Sequence, residues 1–100
     1  SQLEIGPYQG NIIACGTISF DRGVCGAAAK EKTVKIVADV QQFPGYILCD
    51  DLTRSEIVIP VKKNNKLIAV LDIDGAELAE FDQVDQVHLE KVIKMLIELM

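Results

Sequence analysis

The chain has 100 residues, 49% of them hydrophobic and 25% charged, with a formal net charge of −5. That composition describes one small folded domain and excludes a disordered chain, and ten basic residues against fifteen acidic ones leave no basic face for nucleic acid or anionic membrane. No apolar window reaches about 18 residues and no basic-then-apolar leader opens the chain, so no membrane span and a cytoplasmic location are expected.

Leu3–Tyr8 and Asn11–Ile18 read as short strands, with Gln9-Gly10 near the turn between them. The stretch "FDRGVCGAAAKEK" follows, in which Gly23 and Gly26 bracket Val24 and Cys25. Ala27–Lys32 reads as a short helix, since alanines and charged straight chains favour one. Thr33–Ala38 is a β-branched strand, and Pro44-Gly45 marks a loop after it. Ile47–Cys49 is too short to assign. Glu56–Val61 is nearly continuous in apolar residues and reads as a central strand. Lys63-Asn64-Asn65-Lys66 is a hairpin turn, because asparagine tolerates positive φ, and Leu67–Asp74 is the returning strand. Asp82 caps a long helix that runs to about Leu99, with Val84, Val87, Leu89, Val92, Ile93, Leu96, Ile97 and Met100 as a broad apolar stripe. Such a helix covers a sheet face or a partner helix. The order of elements gives an α+β class, with a mostly antiparallel sheet of about five strands.

Three cysteines, Cys15, Cys25 and Cys49, and one histidine, His88, carry the sulfur and imidazole chemistry. No C-x-x-C occurs, and a structural zinc site asks for four ligands, so no metal is expected. In a reducing cytosol, separated cysteines serve by default as small buried apolar residues. Cys25, at the start of the short helix, has a second reading: backbone amides there lower a thiol pKa. Cys49 is followed by Asp50 and Asp51, which raise its pKa if they stay charged. A disulfide between any two requires Cα atoms within ~7 Å, which spacing alone does not decide.

Asp72 and Asp74 lie two apart on a strand and so point to one face, which Ile68 and Val70 share. Either they lie in water past the rim of the sheet, or they form an acidic wall that holds a ligand ammonium or a proton. The hairpin turn brings residues near 56–58 opposite residues near 71–73. Glu56 therefore either stands solvated at a strand start or joins the two aspartates, and like charges then raise one pKa.

"LEIGPYQG", "IACGTISFDRGVCGAA", "VADVQQFPGYILCDDLTRSEIVIPV" and "LIAVLDIDGAELAEFDQVD" resemble, in order and spacing, the free methionine-(R)-sulfoxide reductases, which are small GAF-domain enzymes. The resemblance covers nearly the whole chain. It implies a GAF-like fold over residues 1–100 as a single domain, with a long C-terminal helix and a short helix after the GVCG loop. It also implies reduction of free methionine-(R)-sulfoxide through a cysteine sulfenic acid and an intramolecular disulfide that a thioredoxin-type dithiol reopens. By position Cys49 matches the nucleophile, Cys15 the main resolving cysteine and Cys25 an alternative partner, with the nucleophile role also open to Cys25. Glu56, Asp72 and Asp74 match the acids that hold the substrate and help protonate the departing oxygen. No cofactor is implied. A sheet with only one long helix leaves a face bare, which either a further N-terminal helix or the second subunit of a homodimer would cover.

The chain departs from the family pattern at Tyr46, where relatives commonly have histidine, at Asp21 for a glycine, and at Gly75-Ala76 for Ser-Pro. Family members continue N-terminally with a helix, one or more strands and an aromatic wall for the substrate methyl group. This chain contains no tryptophan and is expected to be an N-terminally shortened domain. Two further readings are a non-catalytic GAF module that binds a small molecule or mediates dimers, and a redox sensor whose cysteines cross-link without turnover.

Overall fold

The strand Ser55–Lys63 turns through Asn64 and Asn65, at φ 53° and 64°, into the strand Lys66–Gly75. Two successive left-handed residues match the right-handed twist of the hairpin, so the asparagines fix its turn. In chain order the strands are β1 (Gln2–Glu4), β2 (Thr17–Ser19), β3 (Lys35–Val37), β4 (Ser55–Lys63) and β5 (Lys66–Gly75). The helices are α1 (Gly23–Glu31) and α2 (Gln83–Glu98). This computed structural model describes residues 1–10, 16–46 and 52–99.

β4 lies between β3 and β5, antiparallel to both. β1 and β2 form a separate antiparallel pair, so the expected sheet of about five strands is divided into two and three among the described residues. Leu3 of β1 and Ile18 of β2 pack against α1. The strand expected over Leu3–Tyr8 is confined to Gln2–Glu4. Residues 11–15 of the second expected strand lie outside the described residues.

Alternation along β4 and β5 sends odd and even residues to opposite faces. Ile57, Ile59, Leu71 and Ile73 meet Leu89, Ile93 and Ile97 of α2. Val58 and Val70 meet Val24, Cys25 and Ala28 of α1. Because a helix covers each face, β4 is buried from Ser55 through Ile59, as its continuous apolar run predicts.

α1 begins four residues earlier than its alanines suggest, and the two glycines explain why. Gly23 opens the helix at φ 70°, a conformation that disfavours side chains. A Cβ on Gly26 would stand 2.6 Å from the Ser19 carbonyl oxygen, so only glycine lets the helix approach β2 this closely. α2 starts as the sequence predicts. The Asp82 carboxylate accepts from the Val84 and Asp85 amides, while Asp85 accepts from the Asp82 amide, closing a capping box. Val84, Val87, Val92, Met95 and Leu96 remain exposed on α2, beside the row that packs on the sheet.

Candidate active site

β4 and β5 pair with Glu56 opposite Asp74 and Val58 opposite Asp72. All four side chains belong to the face beneath α1; the pairing lies one residue from the expected register, 56–58 facing 72–74 and not 71–73, because a bulge between Val61 and Lys62 shifts it. α1 lays Cys25 onto that face. The Cys25 thiol donates a hydrogen bond to Asp72 Oδ2 at 3.1 Å and lies 4.0 Å from Glu56 Oε2. The carboxyls of Asp72 and Asp74 lie close enough to Glu56 to raise its pKa. One thiol and three carboxyls thus come together from segments 31 and 47 residues apart.

The site is closed at one end and open at the other. Glu56 is 5% and Cys25 8% exposed, whereas Asp72 and Asp74 reach solvent. The two readings of the aspartates therefore combine: they stand at the wet rim, and they also complete a cluster with Glu56. Burial, then the adjoining Asp72 and Asp74, holds the Glu56 carboxyl far above its ordinary value of 4.5, so it keeps its proton at neutral pH.

Of the two readings of Cys25, the structure favours the buried helix–sheet contact over the thiol activated by helix amides: its pKa is raised above the ordinary 9.0. Burial is the largest cause, and the neighbouring carboxyls of Asp72, Glu56 and Asp74 add to it. These oppose the weak field of a nine-residue helix. Cys25 is a free buried thiol, kept neutral in this resting arrangement. The expected nucleophile Cys49 and resolving partner Cys15 lie outside the described residues, as do Asp50 and Asp51.

Ser55 is a supporting residue that sequence reasoning passes over. It is fully buried next to Glu56, donates to the Glu77 carbonyl at 2.6 Å and accepts from the Glu80 amide at 3.3 Å. Those bonds tie the segment after β5 back to the start of β4. The only sequence signal is a polar residue opening an otherwise apolar central strand. Tyr46, one of the departures from the family pattern, packs half-buried against the α1 cluster. Asp21, another, is exposed and pairs with Lys30 at 2.9 Å.

No protein-family model matches the chain. The free methionine-R-sulfoxide reductase of Saccharomyces cerevisiae is 47% identical over 95 residues, which are 94% of this chain and 52% of the yeast protein. A solved GAF domain superposes with a TM-score of 0.91 at 46% identity, over 97% of this chain and 55% of that one. The free methionine-R-sulfoxide reductase of Neisseria meningitidis, solved in complex with its substrate, superposes with a TM-score of 0.92 at 41% identity, over 97% and 57%. The chain is a GAF-fold homologue of the free methionine-R-sulfoxide reductases. It spans 52% to 60% of the length of the curated relatives it matches. The thiol and three acids described above fall within the shared part of the GAF fold. Among the described residues no helix is long and apolar enough to cross a membrane.

Proposed function

We propose that this chain carries the reaction centre of a reductase that converts free methionine-(R)-sulfoxide to methionine. The observation that carries the reading is the Cys25–Glu56–Asp72 contact within a GAF fold similar to enzymes of that name. Two of the three acids reach water, where they can take the ammonium group of a free amino acid. The third keeps its proton and can donate it to the sulfoxide oxygen. A thiol beside both makes the arrangement suited to a small zwitterion carrying an S–O bond.

In the proposed reaction the Cys49 thiolate attacks the sulfoxide sulfur. The oxygen, protonated from the acid cluster, passes to the cysteine as a sulfenic acid, and methionine leaves. Cys15, or alternatively Cys25, attacks the sulfenic acid; a disulfide forms and water departs. A thioredoxin-type dithiol restores both thiols, and no cofactor enters. The neutral, hydrogen-bonded state of Cys25 favours a second-cysteine role over that of resting nucleophile. A cytoplasmic setting, which keeps thiols reduced, fits this cycle, and the exposed apolar row of α2 fits a homodimer.

A single-turnover assay tests the reading. Reduced protein is mixed with each epimer of free methionine sulfoxide, and methionine release and thiol loss are counted together. Release from the R epimer alone, with two thiols lost per methionine, is the expected result, and Cys49→Ser abolishes it. No release from a folded chain overturns the reading in favour of a small-molecule-binding GAF module. Disulfide formation with peroxide but not with the sulfoxide marks a redox sensor.

A further inference from the structure

Among the described residues no basic side chain is seen paired with Glu56 or Asp72; Lys30 pairs with Asp21 and Lys35 with Glu31, both away from the site. The groups that act on Glu56 and Cys25 are all carboxyls. Such a site is complementary to a cation, and its donor atoms are of two kinds. Cys25 Sγ, one Glu56 oxygen and one Asp72 oxygen all lie within 4.8 Å of one another. In tetrahedral zinc coordination, with Zn–S about 2.3 Å and Zn–O about 2.0 Å, a sulfur–oxygen edge is about 3.5 Å. The two sulfur–oxygen distances, 3.1 and 4.0 Å, fall on either side of that edge. Side-chain adjustments of about half an ångström close three corners of a tetrahedron.

The choice of ion follows from the donors. A thiolate selects zinc and similar borderline metals over calcium or magnesium, which take oxygen alone. The ligands sit on a helix and two paired strands, which hold their spacing better than a loop. We propose that Cys25, Glu56 and Asp72 form a Zn²⁺ site, the metal displacing the Cys25 and Glu56 protons to solvent as it binds, and that the bound metal shuts off the reductase. The inhibition rests on the proposed function, because the ion occupies the place of the substrate ammonium and ties up the Cys25 sulfur; the metal binding does not. Counting only cysteine and histidine ligands in the sequence excludes a closed structural zinc site. It does not reach a partly open one that uses carboxylates gathered by the fold.

The test uses Co²⁺ as a spectroscopic stand-in, added to the reduced Cys15→Ser/Cys49→Ser variant, in which Cys25 is the sole thiol. A thiolate-to-cobalt charge-transfer band, saturating at one equivalent and lost on adding Zn²⁺, is expected. Glu56→Gln and Asp72→Asn in that background weaken binding by about tenfold or more, since even outer partners of a metal site carry that much. Asp72 is exposed, so its variant tests the site without disturbing the core. Absence of the band, or affinity unchanged in both variants, overturns the metal site. In the native reduced chain, Zn²⁺ is expected to stop methionine release from the R epimer, and a chelator to restore it. Full turnover with Zn²⁺ bound at Cys25 overturns the inhibition and leaves the reductase reading standing. A chain that releases no methionine with or without metal refutes that reading, while the cobalt titration still decides the site.

Discussion

The two faces of the β4–β5 hairpin are built from neighbouring residues and serve opposite ends. Under α2, Ile57, Ile59 and Ile93 are buried with Leu71, Ile73, Leu89 and Ile97 in an entirely apolar layer. Under α1, Val58 is buried beside Val24, Cys25 and Ala28, but the same face holds Glu56, Asp72 and Asp74. Ile57 and Glu56 are adjacent in sequence and almost equally inaccessible, at 0% and 5% exposure. One layer gains free energy by leaving water. The other keeps polar groups in a place where desolvation is unfavourable and retunes their protonation. A site of this kind depends on a second face that stabilises the fold without it.

The largest expected effect is on the apolar face. Ile57→Ala removes a fully buried side chain and lowers stability by about 2–5 kcal/mol, measured by urea unfolding. A loss under about 1 kcal/mol would show that the α2 layer is not the stabilising one. On the polar face, Glu56→Gln keeps the shape and the hydrogen-bonding capacity but not the acid. Under the reductase reading it lowers kcat/KM by about 10²-fold, at the low end for a general acid, with the fold retained. Circular dichroism and single-turnover kinetics on the same sample separate the two outcomes.

The pH dependence of stability sharpens the contrast. The folded Glu56 carboxyl has its pKa raised above the ordinary 4.5. Between those two values the folded state holds a proton that the unfolded state has released. The contribution is therefore fully present below about pH 4.5 and is lost progressively as pH rises through neutrality toward the alkaline side. Glu56→Gln should flatten that decline, whereas a variant on the α2 face should lower the whole curve without changing its slope. Equal slopes for wild type and Glu56→Gln would mean that Glu56 ionises freely in the fold. The smallest effect is at the start of α2. Asp82→Ala opens the capping box, with a loss of about 1 kcal/mol seen in thermal unfolding and none in site chemistry.

Local chemistry made much of this architecture legible. Asp82, with Asp85 three residues on, announces the beginning of α2, because short acidic side chains satisfy free helix amides. Asn64-Asn65 announces the hairpin, but a bulge between Val61 and Lys62, which the turn does not announce, shifts the register by one and places Glu56 opposite Asp74. The start of α1 was less legible. Gly23 and Gly26 are weak helix formers, and their use there follows from a backbone angle and from the approach to Ser19, which propensity does not encode. Nor did five strand signals say that, among the described residues, β1 and β2 pair apart from the other three.

By itself, then, the sequence determined what periodicity, turn chemistry and capping control: the antiparallel hairpin, the long capped helix, and the alternation that puts Asp72 and Asp74 on one face; the bulge that brings Glu56 to them is a feature of the folded hairpin. The tertiary structure alone decided the state of Cys25. Read along the chain, that thiol stands in the first turn of a helix, among amides that favour a thiolate. In the fold it lies under the helix, 3.1 Å from a carboxylate 47 residues away, and burial with like-charged neighbours reverses the direction of its pKa. Electrostatic energies depend on distance and on the surrounding dielectric, and both are set by packing between segments remote in the chain.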